Sequence, residues 1–402
     1  MTFILEKFIA ESVVQRTESL FQADVLANES ELRNRIDGKS VLVIGGAGSI
    51  GSSFIKAVLP YHPSALAVVD INENELAELT RDLRSEKDMF IPDEYCPYPM
   101  DYSTETFQKM FRNHKGFDIV ANFSAHKHVR SEKDVFSIEA MLNNNVLHLK
   151  PLLELLVEYP PVSYFCVSTD KAANPVNIMG ASKRIMEDVI FSYSDQFPVK
   201  TARFANVAFS NGSLPAGFLK RIQKCQPLSA PNDVRRYFVS PREAGEICLL
   251  ACILGNNREI FFPKFKKTQM VSFDEIARKL LTAFGFEVTE CSSDSEALDK
   301  AENLKKGSLK YPVRFSASDT SGEKMFEEFV AESENTADDR FSSLGVIVDK
   351  TIPDIQKLNN LFHQLEYAFA HQMSKSDIVK ILSDYLGNFR HIETGKTLDS
   401  KM

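Results

Sequence analysis

The stretch from Gly38 to Asp70, GKSVLVIGGAGSIGSSFIKAVLPYHPSALAVVD, constrains the fold of this chain more than any other. Val41-Leu42-Val43-Ile44 is an apolar run of the kind that forms a strand buried on both faces. Gly45, Gly48 and Gly51 follow at once. Then come a helical stretch from Ile50 to Leu59 and a second apolar run, Ala65 to Val69, which ends in Asp70. The order is strand, glycine turn, helix, strand, acid. Gly45 serves a sharp turn, Gly48 admits a pyrophosphate to the backbone, and Gly51 lets the helix pack close to the sheet. Around Ser49 and Ile50 the helix start offers unpaired N–H groups to a phosphate. Asp70 stands about 20 residues on, where a carboxylate accepts from a ribose 2′-hydroxyl and repels a 2′-phosphate. A dinucleotide cofactor is expected, NAD rather than NADP.

Strands and helices continue to alternate after this unit. Phe117 to Phe123 reads as a strand and Glu139 to Val157 as one long helix. Tyr164 to Val167 is a strand, Ser182 to Tyr193 a helix and Val199 to Phe204 a strand. Alternation of this kind makes an α/β fold, a Rossmann-like doubly wound parallel sheet. Its ligands belong at the C-terminal strand ends, after Ile44, Val69, Phe123 and Val167.

The flanking regions read differently. Residues 1–37 form a helical arm, with Leu5, Phe8, Ile9, Val13 and Val14 at helical spacing and a further short helix near Ser30. Its apolar stripe must pack on its own domain or on a second subunit. Residues 38–205 are the cofactor domain, and residues 206–345 a smaller α+β substrate lobe, with 240–265 partly returning to the main sheet. In that lobe Glu243–Leu254 and Phe273–Phe284 read as helices, and Ile260–Phe262 and Glu287–Thr289 as strands. The charged stretch Asp294 to Lys306 is a solvated helix or a loop. Residues 346–402 form a helical tail, with Leu358, Leu361, Leu365, Phe369 and Met373 roughly on one face.

Composition narrows the function. A formal charge of −8 over 402 residues argues against nucleic acid or anionic membrane as a partner. No apolar run reaches the roughly 18 residues of a membrane span. The six cysteines, without a CxxC pair, read as reduced core thiols. A cytoplasmic location is expected. His126 and His128 flank Lys127, but two histidines without further ligands do not make a metal site, so none is expected.

Longer motifs carry a family resemblance. SAHKHV at 124–129, VSTDKAANPVNIMGASKR at 167–184, RFANVAFSNGS at 203–213 and RRYFVSPREA at 235–244 stand in order along the chain. Together with Gly45 to Gly51 they resemble an extended short-chain dehydrogenase/reductase, in particular its polysaccharide-biosynthesis branch of UDP-N-acetylglucosamine 4,6-dehydratases. The resemblance runs from about residue 20 to 265, with a weaker echo at 321–328. It implies oxidation at sugar C4 by NAD⁺, loss of water across C5 and C6, and return of the hydride to C6, for surface polysaccharide or glycan synthesis.

The resemblance also implies roles for residues. Thr169 hydrogen-bonds the 4-hydroxyl, Asp170 donates a proton to the departing 6-hydroxyl, and Lys171 removes the C5 proton. Dehydration needs such an acid and base. Lys183 holds the nicotinamide ribose. Met179 occupies the position of the superfamily tyrosine and accepts no proton. That leaves Asp170, a water or the substrate itself to take the 4-hydroxyl proton. Asp101 either accepts from the adenine amino group or is a plain turn residue. Ala125 matches a cofactor position and Lys127 a substrate position, with Asn145 a structural one. Asn206, Gly212, Ser213 and Leu214 fall where relatives grip the nucleotide sugar, and Arg236 can pair with its diphosphate. Arg130 and Ser131 depart from the Pro-Leu of relatives, and Thr320-Ser321 from their Arg-Pro. A 4-epimerase, a dehydratase of another nucleotide sugar and a catalytically silent NAD-binding scaffold are the rival readings. A homo-oligomer is expected, since such proteins often pair through two helices per subunit.

Overall fold

A computed structural model describes residues 3–318, 324, 326 and 328–393, with Arg130 described in its backbone alone. Thr320 and Ser321 lie outside the described residues. Nine strands share one central sheet: β1 (Ser40–Ile44), β2 (Ala65–Asp70), β3 (Glu94–Pro99), β4 (Ile119–Asn122), β5 (Ser163–Thr169), β6 (Val199–Phe204), β7 (Glu259–Pro263), β8 (Asn335–Ala337) and β9 (Leu344–Val348). Their order is β8-β9-β7-β6-β5-β4-β1-β2-β3. The strands from β3 across to β7 run parallel. β9 and then β8 add antiparallel at the far edge. The expected Rossmann-like doubly wound sheet is therefore present, with its strand order reversing between β1 and β4.

Alternation along β1 divides the core into two layers. Leu42 and Ile44 face one layer, which contains the helices at Glu105–Asn113, Leu149–Glu158 and Ile178–Phe191. Val41 and Val43 face the other, which contains the helices at Ser49–Val58, Glu73–Ser85 and Pro241–Leu254. A third apolar cluster belongs to the smaller lobe. There a three-stranded parallel sheet (Glu287–Glu290, Lys310–Ser316, Leu228–Pro231) packs with the helices at Leu214–Gln223 and Phe273–Ala283.

The arm packs on its own chain. Phe8, Ile9, Val13 and Val14 enter the cluster of the smaller lobe, and Phe21, Leu32 and Ile36 enter the core of the main sheet. Arg16 makes a two-pronged ion pair with the buried Glu243, through Nε at 2.6 Å and Nη2 at 2.7 Å. Asp24, also buried, accepts from the backbone of Ser342 and Ser343. The tail forms two helices, Ile355–Ala370 and Lys375–Leu386, whose Leu358, Leu361, Leu365 and Leu382 join the core layer of Leu149 and Val189. No helix among the described residues is long and apolar enough to cross a membrane.

Several elements differ from their sequence expectation for identifiable reasons. The single helix read over Glu139–Val157 is two helices, Val135–Leu142 and Leu149–Glu158, joined by a wide π-type turn at Asn143–Leu147. Asn144 and Asn145 turn their amides onto the neighbouring β4 loop there. The helix read from Ser182 begins at Ile178, because the Asn177 side chain caps it by accepting from Gly180 N–H. β3 carries Pro97 and Pro99, and such a strand is tolerated because it lies at the sheet edge. Asp294–Lys306 contains a helix, Asp294–Ala301, that buries Ala297 and Ala301.

Candidate active site

The glycine turn is shaped by contacts the chain itself makes. Gly45 has φ of +69°, a conformation open to glycine, and donates its N–H to Val69 O at 2.7 Å. A Cβ there would lie 2.6 Å from the Ser124 nitrogen, and one on Gly51 would lie 2.4 Å from Gly45 O. Both glycines are thus required by packing. At Gly48 the nearest atom to a Cβ is Gly45 O at 3.4 Å, so packing within the chain does not demand glycine there. Gly48 begins the Ser49–Val58 helix with no side-chain cap. Ser49 Oγ accepts from Asn211 N–H at 2.8 Å, and Ile50 is half-buried beside it. The arrangement fits a dinucleotide: a close-packed turn, one glycine whose missing side chain serves an approach from outside, and an uncapped helix start.

Asp70 ends β2. Its Oδ2 accepts from Ala47 N–H at 3.1 Å and its Oδ1 from Asn72 N–H at 3.0 Å, so the acid also braces the turn. Ile71 beside it is 75% exposed, an apolar residue standing open at the C-terminal end of β2. Asp101 is exposed in the turn after β3, with Oδ1 accepting from Ser103 N–H at 2.8 Å.

The loop after β4 carries Ala125, half-buried, and Lys127, exposed. Asn145 holds this loop from the π-type turn. Its Oδ1 accepts from His126 N–H, and its Nδ2 donates to His126 O and, at 3.0 Å, to Ser182 Oγ. The β4 loop is thereby tied to the helix that carries Lys183.

At the end of β5 stand Thr169, Asp170 and Lys171. Asp170 is buried, and its Oδ1 accepts from Thr169 Oγ1 at 2.9 Å and from Lys171 Nζ at 3.2 Å. The turn leans on the next helix at Gly180, where a Cβ would meet Lys171 O at 2.7 Å. Met179 is buried in the first turn of that helix and donates its N–H to Glu132 Oε1. Lys183, one turn on, is 4% exposed. Its Nζ donates to the Met186 thioether at 3.2 Å, a weak acceptor and the one hydrogen-bond partner among the described residues. Burial pushes the Lys183 ammonium down, while Cys166 and Glu187 act the other way. Such a group is poised for a polar ligand.

Behind this strand end lies a set of charges that sequence reading did not single out. Ser168 Oγ donates to Glu187 Oε1 at 2.7 Å. Arg203 grips Glu187 through Nε at 2.9 Å and Nη2 at 2.8 Å. Arg203 also grips Glu334, which accepts in turn from Lys350 Nζ. Burial raises the Glu187 carboxyl, but the Arg203 guanidinium overrides it and holds it below the usual carboxylate range. The signal available in the sequence was the spacing Lys183-x-x-x-Glu187, which puts both charges on one helix face.

The substrate-side candidates are spread along the rim. Asn206 is half-buried and donates its N–H to Tyr237 O. Gly212 has φ of +76° and packs against His128, whose Nε2 would lie 2.9 Å from a Cβ. Ser213 caps the Leu214–Gln223 helix, and Leu214 is exposed. Arg236 is buried, with Nη1 donating to Arg235 O. Through Asn211–Ser49, Gly212–His128 and Asn145–Ser182, the structure brings the glycine turn, the β4 loop and the Lys183 helix into one rim. Asp101 lies on the turn after β3, and Arg236 on a short strand paired with Val271 in the smaller lobe.

A doubly wound sheet with a glycine turn at its switch point, an acid at the end of β2 and a buried lysine after β5 places the chain in the Rossmann-like class of folds. Residues 41–348 match the polysaccharide biosynthesis protein family, and the chain belongs to it. It is 28% identical over 362 residues to a protein of Bacillus subtilis described as probable polysaccharide biosynthesis protein EpsC. That match takes in 88% of this chain and 56% of EpsC. Among solved structures, Pen from Bacillus thuringiensis superposes with a TM-score of 0.63 at 19% identity, covering 82% of this chain and 98% of Pen. The dTDP-glucose 4,6-dehydratase DesIV of Streptomyces venezuelae, a double mutant with NAD and DAU bound, gives 0.54 at 19% identity, covering 72% and 88%.

Proposed function

We propose that the chain is an NAD-dependent nucleotide-sugar 4,6-dehydratase acting on UDP-N-acetylglucosamine, in the synthesis of a surface polysaccharide or glycan. The observation that carries this reading is the hydrogen-bonded Thr169-Asp170-Lys171 cluster, with Asp170 buried, at the same C-terminal end of the parallel sheet as the glycine turn. Family membership and a fold shared with a dTDP-glucose 4,6-dehydratase support it.

The turn of Gly45, Gly48, Ser49, Ile50 and Gly51 would hold the pyrophosphate, Asp70 the adenosine ribose and Lys183 the nicotinamide ribose. Bound NAD supplies a reversible hydride acceptor for the sugar C4. Thr169 Oγ1 positions the 4-hydroxyl, whose proton passes to a water as the hydride leaves C4. The ammonium of Lys171 donates to Asp170 Oδ1 along an existing hydrogen bond. Transfer of that proton leaves a neutral amine beside a carboxylic acid, the base for C5 and the acid for the 6-hydroxyl. Met179 takes no part in proton transfer. Its side chain is buried in the core layer of Ile178 and Ile185.

Incubation with UDP-N-acetylglucosamine and mass spectrometry of the product tests the reading. Loss of one water is expected. An unchanged mass with an altered sugar would replace the dehydratase with an epimerase.

A further inference from the structure

Ser168, Glu187 and Arg203 are buried beside the catalytic triplet, yet no step of the reaction uses them. Ser168 immediately precedes Thr169, and its hydroxyl ends on Glu187. Glu187 is immobilised in turn. Both of its oxygens are held by Arg203, and Arg184 lies 3.8 Å from Oε2. Arg203 is itself fixed from the opposite side by Glu334 and by Phe329 O at 2.9 Å. Neither Glu187 nor Arg203 exposes any side-chain surface. Burying such ions costs several kcal/mol before pairing returns it, and an apolar pair of similar volume would stabilise a core at least as well. Stability alone is therefore a poor account of this cluster. Its place is distinctive: it reaches the backbone of the triplet through one hydroxyl and shares a helix face with Lys183.

We propose that Glu187 is a positioning residue, acting through the Ser168 hydroxyl on the backbone that presents Thr169, Asp170 and Lys171, and serving as fixed counter-charge to Lys183. The proposal rests on the functional reading above for what the triplet does, but not for how the triplet is held. Arg203 is the anchor that keeps the Glu187 carboxylate from swinging away. Glu334 and Lys350 extend the anchor to a segment outside the parallel sheet.

Ser168→Ala and Glu187→Gln test it on the full chain. Ser168→Ala removes one hydroxyl and leaves the ion pairs. It should lower kcat about tenfold, as expected for a displaced catalytic group, with KM changed by less than about twofold. Glu187→Gln should in addition move the alkaline limb of the pH–rate profile to lower pH. Lys183 would lose a counter-charge that favours its protonated form. A merely structural cluster would lower the melting temperature and leave kcat per folded molecule and the profile unchanged. That result overturns the proposal. Should Glu187→Gln fail to fold, Ser168→Ala decides alone. Wild-type turnover measured alongside tests the functional reading separately. If wild type does not turn over, hydrogen exchange over residues 168–172 decides. Faster exchange in Ser168→Ala supports positioning, and unchanged exchange overturns it.

Discussion

Lys171 faces the hardest demand of any residue in the proposed site, since a lysine is protonated in water and a base must not be. Its partner is immediate: Asp170 Oδ1, at 3.2 Å, with Thr169 Oγ1 on the same oxygen. Lys171→Ala removes the base and touches none of the cradle. Turnover should fall roughly a hundred- to ten-thousand-fold, the range general base catalysis supplies, while NAD affinity in a titration stays within about twofold. Surviving turnover would show that another group takes the C5 proton. Asp70 carries a different demand. Its carboxylate braces the turn through Ala47 N–H, and in the proposed site it would also meet the adenosine ribose. A 2′-phosphate there would meet a fixed negative charge, so wild type should bind NAD at least about tenfold more tightly than NADP. Asp70→Asn should narrow that ratio. Equal affinities for the two cofactors in wild type would contradict the assignment.

At the scale of elements, the Ile178–Phe191 helix sets the depth of the site. Gly180 lies against the carbonyl of Lys171, with Asn177 capping the helix from the loop between them. Gly180→Ala would put a Cβ 2.7 Å from that carbonyl, which is backbone and cannot rotate aside. The helix and the catalytic turn must then separate. A loss of about 1–3 kcal/mol in urea unfolding is expected, together with a fall in kcat larger than any change in KM. A variant that unfolds like wild type and turns over normally would show that the approach is slack. This contact also marks the limit of what the sequence disclosed. The parallel strands β1, β2, β4 and β5 were legible because each holds a run of apolar residues, β6 (with Lys200 and Arg203) because the strand–helix alternation called for it, and the glycine turn because its spacing serves a single local geometry. β3, with two prolines, was not, since its place at an edge is a tertiary fact. The break at Asn143–Leu147 was hidden for a related reason. Its asparagines look merely polar until the β4 loop that receives them is in place. Likewise Glu187 and Arg203 meet only when the helix lies on β6.

The whole molecule is held together by ties between residues far apart in sequence. Arg16 binds Glu243 across 227 positions, and Arg203 binds Glu334 across 131. The second tie has a measurable dependence on pH. Burial raises the Glu334 carboxyl, but hydrogen bonds and charge from Arg203 and Lys350 bring it from 4.5 to about 2. A carboxyl whose folded value lies below its unfolded value binds fewer protons when folded. It contributes stability that is complete above the unfolded value and is lost as pH falls through the folded one. The window therefore runs from about pH 4.5 down to about pH 2, and Glu187 adds to it in the same direction. Glu334→Gln cannot ionise, so it lacks this contribution at every pH. Urea unfolding of wild type and variant should differ by on the order of 2 kcal/mol at pH 7, and the difference should shrink steadily as pH falls below 4.5. A difference that is constant with pH would mean that Glu334 holds Arg203 by shape and hydrogen bonding alone. The test bears on the site as well as on stability, because the same guanidinium fixes Glu187. A chain acidified into the window should lose the order of residues 168–171 before it loses the parallel sheet, whose β1 and β4 are apolar but for Ser40 and Asn122.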